Sequence, residues 1–352
     1  MQDYLILPLI GVLSAMLTWV IRRYARRNLL DMPNERSSHT VPTPRGGGLA
    51  IVIAFTVGVL VYNAENSFPP QVVAALLIGG WAVAIIGFID DRRPVSWRVR
   101  ALVHFGAAIF GLAALGGMPP LNLGVAIVEW GWIGHIVGVI GIVWLINLYN
   151  FMDGIDGLAA GEAVTVALAG GFVVGIGTTP DEMGLIGYVV AFASFGFLIF
   201  NWSSASIFMG DVGSGFLGYL FAIFVIYSVA NASFVSVQSY GVVGLTFWVW
   251  LILLGYFIVD ATFTLIRRLL RGDKWYAAHR THAYQKWLIR GASHRRVTTT
   301  ILAINVLWLT PLAVMATIFQ QFALLFTVIA LAPLVFFVAD FKAGAPNTEP
   351  SV

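Results

Sequence analysis

The sequence predicts an all-α polytopic membrane protein that crosses the bilayer about eleven times, with its N-terminus outside and its C-terminus in the cytoplasm. Three observations carry this expectation. Of 352 residues, 59% are hydrophobic and 11% charged, which excludes a soluble globular protein and any large aqueous domain. The apolar stretches are long enough to cross a hydrocarbon core of about 30 Å. All 20 Lys and Arg fall in alternate gaps between those stretches or at their borders, and basic residues stay on the cytoplasmic side.

The elements follow in order. The first stretch, Tyr4 to Ile21, is followed by Arg22, Arg23, Arg26 and Arg27; a cleaved signal peptide would carry its charge before the apolar run, so a retained first helix is predicted. Further spans are predicted over residues 47–62, 72–89, 99–118, 132–149, 158–177, 184–200, 213–230, 241–266, 299–319 and 321–339. The outer connections between them contain no Lys or Arg. The stretch 241–266 would be about 39 Å long as a helix at 1.5 Å per residue, so it is expected to tilt, kink near Gly255 or project into the cytoplasm. Residues 1–341 form one integral membrane domain, and the Gly- and Pro-containing tail 342–352 is expected to be disordered.

Several function classes drop out early. The chain has no cysteine, so disulfides, thiolate metal sites and a cysteine nucleophile are excluded. Its formal net charge of +3 is spread along membrane borders, where anionic headgroups explain it and nucleic acid is not implied. Gly134-x-x-x-Gly138 and Gly171-x-x-x-Gly175 let helix backbones approach closely, and packing within the chain is favoured over a homodimer seam.

The chemistry lies in the basic-side gaps. Asp90 and Asp91 end the third span, where adjacent carboxylates repel unless a cation or shared proton intervenes; a solvated helix end paired with Arg92 and Arg93 is the bland alternative. Asn150, Asp153 and Asp156 lie in Asn147-Leu-Tyr-Asn-Phe-Met-Asp-Gly-Ile-Asp-Gly-Leu158. Asp153 and Asp156 share a face if that stretch is helical, and Leu158 opens a helix whose free N–H groups favour anions. Asp211 follows Phe208-Met209-Gly210 and is either the N-cap of the next helix or a ligand for a hard divalent cation, which needs only one or two carboxylates beside substrate phosphates. His279 and His282 have zinc-like spacing without a third ligand nearby; with Arg280 they suit a pyrophosphate better. Asp260, late in the ninth span, needs a partner, and Arg267 or Arg268 is expected to supply it.

In this order and spacing, the motifs resemble the polyprenyl-phosphate N-acetylhexosamine-1-phosphate transferases of glycosyltransferase family 4, in particular the bacterial enzymes that initiate O-antigen synthesis. The likeness covers nearly the whole chain. It rests on Asp31-x-Pro33-Asn34-x-Arg36-Ser37-Ser38-His39 with Pro42-Thr43-Pro44-Arg45-Gly46-Gly47-Gly48, on Asp90-Asp91, on Asn150 to Gly157, on Phe208 to Ser214, and on His279-Arg280-x-His282. The broken histidine motif departs from the muramoyl-pentapeptide branch, whose histidines run continuously.

The resemblance implies transfer of a sugar-1-phosphate from a UDP-sugar to undecaprenyl phosphate in a bacterial inner membrane, with UMP released at the cytoplasmic face. It further implies a magnesium ion, or manganese in its place, on Asp211 with Asn150 as second ligand. Asp90, with Asp91 beside it, would act on the lipid phosphate. Phe208 would stack on uracil, Asp153 and Asp156 would line the nucleotide-sugar site with Arg45, and His279, Arg280 and His282 would hold phosphate oxygens. Two rivals are weaker. A secondary transporter places its carboxylates near the bilayer midplane, whereas these hug one interface. A CDP-alcohol phosphotransferase needs an Arg shortly after Asp-Gly, where Asp156-Gly157 is followed by Leu158-Ala159-Ala160.

Overall fold

The computed structural model describes residues 3–33, 41–66, 68–123, 126–177, 182–238, 245–274 and 279–346. Each of the predicted apolar stretches holds a helix. In chain order these are α1 (Asp3–Asn28), α2 (Leu49–Asn66), α3 (Pro70–Arg92) and α4 (Trp97–Ala114). Then come α5 (Gly131–Met152), α6 (Leu158–Gly177), α7 (Glu182–Asn201) and α8 (Asp211–Gln238). The chain continues with α9 (Phe247–Leu253), α10 (Gly255–Leu270), the short α11 (Ala283–Ile289), α12 (His294–Ile318) and α13 (Ala323–Asp340). Two antiparallel two-residue pairs, Leu30–Asp31 with Thr43–Pro44 and Leu121–Asn122 with Ile127–Val128, clip loops at the ends of the bundle.

Among the described residues, 8 helices are long and apolar enough to cross a membrane, and the α9–α10 pair would make a ninth. Two of the eleven expected spans fall short for separate reasons. The described apolar run in α2, Leu49–Glu65, is shorter, and α4 carries Arg98 and Arg100 in its first turn. The ninth predicted span is broken: α9 and α10 meet at 83° around Leu254. The kink falls beside Gly255, where a side chain would sit 2.7 Å from the Leu331 side chain of α13, so glycine lets the two helices approach without displacing that leucine. Its expected start, residues 241–244, lies outside the described residues, as do Asn34, Arg36, Ser37, Ser38 and His39.

α8 is the central helix, with 94% of its apolar window buried. Small residues make that possible. A methyl group at Gly213 would collide with Met209, and one at Gly218 with the Leu145 backbone of α5. Tyr219 of α8 donates to the Ala75 carbonyl (2.9 Å), where α3 widens into a π-turn over Ala75–Gly79; a side chain inserted into the helix ladder is a recognised cause of such a bulge. Gly134 and Gly138 face Met118 and Leu112, so the first small-residue motif packs within the chain; of the second, Gly171 faces Gly184 and Tyr188, while a methyl group at Gly175 would meet open space.

The loops carrying the basic and acidic motifs meet at one end of the bundle: Arg22 reaches Ser206, Arg45 reaches Asp91 and Arg100 reaches Asp211. Residues 342–346, expected to open a disordered tail, instead form a turn bonded to α10 and to the loop before α11. The unpaired carbonyls of the turn attract the arginines of α10, which composition alone does not register. Residues 347–352 lie outside the described residues.

Candidate active site

The Asp90-Asp91 pair divides its labour. Pro94 disfavours helix in the residue before it, so α3 stops at Arg92 and Arg93 is extended; Ser96 then caps α4 through Val99 N–H (3.4 Å). This tight reversal runs α4 back past the end of α3. Asp90 accepts from Val95 N–H (2.6 Å) and from Arg100 Nη1 (2.6 Å). The expected partners do other things: Arg92 lies over Phe88 and donates to the Tyr24 hydroxyl. Arg100 was missed by sequence reasoning because two arginines adjoin the aspartates, and only the reversal at Pro94 brings the more distant one opposite.

Asp91 points the other way. Its side chain is 1% exposed, and its two oxygens accept from the first backbone N–H groups of α8, at Asp211 (3.0 Å) and Val212 (3.2 Å). An anion there satisfies orphan helix donors and opposes the positive end of the helix dipole. The approach requires Gly210, whose φ is +76° and where a side chain would collide with the Asp91 carboxylate. Arg45 neutralises the pair from behind: Nε lies 3.5 Å from Asp91 Oδ1 and donates to the Asp91 carbonyl, while Nη2 donates to the Asp90 carbonyl. Arg45 is thereby committed to the end of α3.

With Asp91 capping α8, the Asp211 carboxylate is spared that duty. Asn150 Nδ2 donates to Asp211 Oδ1 (2.9 Å) and to Ser214 Oγ (3.1 Å), and Arg100 Nη1 lies 3.3 Å from Asp211 Oδ2. Arg100 thus bridges Asp90 and Asp211. Asp153 follows α5 in the adjacent loop; burial, then the charges of Asp211 and Asp91, push its carboxyl well above the ordinary value. Residues 153–156 are not helical, so Asp153 and Asp156 do not share a helix face. Asp156 turns toward α12 and accepts from Ala205 N–H (3.2 Å), with His294 Nδ1 3.3 Å away. Burial raises its carboxyl, but the His294 and Ala205 bonds outweigh that and leave it below the usual range.

The histidine loop closes another side. Asp260, fully buried in α10, is paired with His282 Nδ1 (3.3 Å) and not with Arg267 or Arg268. It also accepts from the N–H groups of Ala283 (2.9 Å) and Tyr284 (3.2 Å), capping α11. Arg267 and Arg268 lie more than a turn further on and bond to carbonyls of the C-terminal turn and of Lys274. A carboxylate on Nδ1 fixes the ring and leaves Nε2 for the site. Tyr284 Oη donates to the Phe151 carbonyl (3.0 Å), tying the loop to the end of α5. His279 lies beside His282, ring centres 4.9 Å apart and planes tilted by 32°, and Thr281 Oγ1 lies 2.9 Å from its Nδ1. Burial, then His282 and Arg268, push His279 down to about 3, so its ring is neutral at physiological pH. Arg280 is half-buried between them.

These groups surround a cavity of about 470 Å³ whose walls include Arg100, His104, Asn147, Asn150, Asp211 and the two histidines His279 and His282. Asp90 reaches it through Arg100, and Asp91 through the α8 terminus. Asp153, Asp156, Arg45, Phe208 and Arg280 are not among its lining residues; Phe208 is half-buried, its backbone bonded to Pro44 and Gly47. Among the described residues no three His, Asp or Glu side chains gather closely enough to hold a metal by themselves. Asp211 and Asn150 nevertheless fit an ion of the magnesium type: they offer hard oxygens, burial and then the charges of Asp211 and Asp91 hold the Asp153 carboxyl above its ordinary value, as a nearby cation would relieve, and such an ion completes its shell with water and phosphate. The Asn150 amide orientation is assigned from the hydrogen bonds, and turning it presents Oδ1 in place of Nδ2.

The geometry can be set beside known proteins. The glycosyl transferase family 4 model matches residues 73–229, which spans Asp90 to Asp211 but stops before the histidine loop. The chain is 30% identical over 333 residues, 91% of its length and 87% of the relative's, to a probable undecaprenyl-phosphate N-acetylglucosaminyl 1-phosphate transferase of Bacillus subtilis. It is 30% identical over 331 residues, 84% of its length and 79% of the relative's, to a decaprenyl-phosphate N-acetylglucosaminephosphotransferase of Mycobacterium tuberculosis. A phospho-N-acetylmuramoyl-pentapeptide-transferase of Moorella thermoacetica is 30% identical over 193 residues, covering 50% of this chain and 58% of that one. With its paired acidic helix end, its Asn150–Asp211 contact and its histidine loop on one cavity, the chain belongs to glycosyl transferase family 4, among the polyprenyl-phosphate N-acetylhexosamine-1-phosphate transferases.

Proposed function

We propose that this protein transfers an N-acetylhexosamine-1-phosphate, or a 6-deoxy variant, from a UDP-sugar to undecaprenyl phosphate at the cytoplasmic face of a bacterial inner membrane. UMP is released, and the product begins an O-antigen or related surface polysaccharide. The observation that carries this reading is the Asp211 carboxylate, relieved of helix capping by Asp91 and held by Asn150 and Arg100 on the wall of a cavity shared with His279 and His282.

Charge governs the chemistry. An oxygen of the lipid phosphate attacks the β-phosphorus; a new P–O bond forms while the bond from that phosphorus to the bridging oxygen breaks, and UMP leaves with the electron pair. Two anions must meet, so donors aimed at developing charge count most. Magnesium, held by Asp211 with Asn150, would neutralise the diphosphate and stabilise the leaving group. Arg100 supplies a fixed cation beside it. His282, oriented by Asp260, and neutral His279 present ring nitrogens to phosphate oxygens. A phosphate monoester is already anionic near neutral pH, so direct displacement needs no strong base, and Asp90 serves to hold Arg100 and orient the nucleophile. An apolar cleft of about 340 Å³ between α5, α8 and the broken α9–α10 pair, lined by Trp144, Leu145, Val225, Trp250 and Ile258 among others, suits an isoprenoid chain. Helix α5 lines both spaces.

The test is reconstitution in lipid with undecaprenyl phosphate, magnesium and a panel of UDP-sugars. UMP release with one of them, lost in Asp211→Ala while that variant still inserts, is the expected result. Protein that moves a solute across the bilayer yet leaves every UDP-sugar intact would replace the transferase reading with a transporter.

A further inference from the structure

The C-terminal turn is bound more firmly than its sequence suggests. Ala343 is fully buried and Phe341 nearly so; the Phe341 ring packs on Trp287 of α11 and Phe337 of α13. Arg267 donates to the Ala343 carbonyl (3.4 Å), Arg271 to the Gly344 carbonyl (2.5 Å) and Lys286 to the Pro346 carbonyl (3.4 Å). One bond runs on toward the cavity: Gly344 N–H donates to the Thr281 carbonyl (2.8 Å). Thr281, itself 8% exposed, touches His279 Nδ1 with its hydroxyl (2.9 Å). Gly344 has φ +77°, and a side chain there would lie 3.0 Å from Arg267 Cβ and from the Thr264 carbonyl, so glycine is required at that point of the turn.

We propose that residues 341–346 are a positioning element for the sugar-phosphate site, with Gly344 and Thr281 as positioning residues that set the orientation and tautomer of His279. Gly344 fixes the Thr281 backbone; the Thr281 hydroxyl donates to Nδ1 and so leaves Nε2–H as a donor toward the cavity. A neutral histidine is a defined donor only when one nitrogen is occupied in this way. The function assigned to His279 rests on the transferase reading above, whereas the Gly344–Thr281–His279 linkage can be read without activity.

The experiment uses the full-length protein in lipid and compares Thr281→Val, Thr281→Ser and Gly344→Val. Loss of one well-placed hydrogen bond corresponds to about a tenfold change. Thr281→Val should raise KM for the UDP-sugar about tenfold and leave KM for polyprenyl phosphate nearly unchanged; Thr281→Ser should behave as wild type. Gly344→Val should reproduce Thr281→Val, and the double variant should lose no more than either single one, since both act through the same ring. Nitrogen-15 histidine spectra should show His279 as the Nε2–H tautomer in wild type and a mixture in both variants. If Gly344→Val does not fold, truncation after Lys342 takes its place. Equal losses for both substrates, multiplicative effects in the double variant, or an unchanged His279 tautomer would each overturn the proposal. A wild-type protein that uses no UDP-sugar but shows the tautomer shift would fail the functional reading and leave the linkage standing.

Discussion

Replacing the two adjacent aspartates one at a time should separate folding from chemistry. Asp91→Ala removes an acceptor from two backbone N–H groups at the start of α8 and leaves Arg45 facing an empty position. Each buried donor left unsatisfied costs about 1–3 kcal/mol, and breaking a buried charged contact costs on the order of 3–5 kcal/mol in all. Asp91→Asn keeps one acceptor oxygen and should cost about half as much. Asp90→Asn keeps an acceptor for Val95 N–H and weakens the contact with Arg100, which Asp211 still holds, so its stability change should stay near about 1 kcal/mol, the scale of one ion pair with a partly exposed partner. The assay is thermal unfolding of each purified variant in detergent beside initial rates of UMP release. Asp91 variants should melt several degrees early, with activity recovering in proportion to folded protein at low temperature; Asp90→Asn should melt like wild type and turn over slowly. A stable Asp91→Ala, or an Asp90→Asn that unfolds first, would refute the assignment of Asp91 as the trans cap of α8.

Arg100→Ala should lower turnover about 10²-fold, the scale for losing one preorganised charge donor, with Arg100→Lys recovering part of it as a point charge; initial rates decide. Phe208 does not line the cavity, so Phe208→Ala tests the stacking role that the family resemblance implies: a uracil contact predicts a KM for the UDP-sugar raised about 10-fold or more, the scale of one base-stacking contact, with lipid use changed less, and an unchanged KM or equal effects on both substrates would argue against it. Asp156→Asn should lower stability near neutral pH, and the gap should close in acid. The folded-state carboxyl is held below its usual range, so its contribution is present above the unfolded value of about 4 and lost as pH falls through the folded one; melting temperatures of the two proteins against pH would show it.

Much of the helical frame was readable from residue order because the bilayer imposes two local rules, a minimum apolar length and a sided distribution of Lys and Arg. The excess length of the ninth stretch was readable too, but it left a tilt, a kink near Gly255 and a projection into the cytoplasm equally open, and only packing against α13 settled on the break. The acidic and histidine motifs were readable as candidates because clustered carboxylates and imidazoles at an interface are costly without a task. Pairing was another matter. The partners of Asp90, Asp91 and Asp260 were sought among neighbouring arginines, whereas Asp91 binds the backbone 120 residues away and Asp260 pairs with His282.

The sequence by itself determined that the chain is a helical membrane protein, which family motifs it carries and that its charged groups concentrate beside alternate loops, since hydropathy and charge act along the chain. Only the tertiary structure decided which aspartate caps a helix and which faces the cavity, that Arg100 joins Asp90 to Asp211, and that the last turn grips the histidine loop. Those outcomes depend on which buried donor meets which acceptor after packing, and in a low-dielectric interior each such match is decided by ångström-scale geometry that residue spacing does not encode.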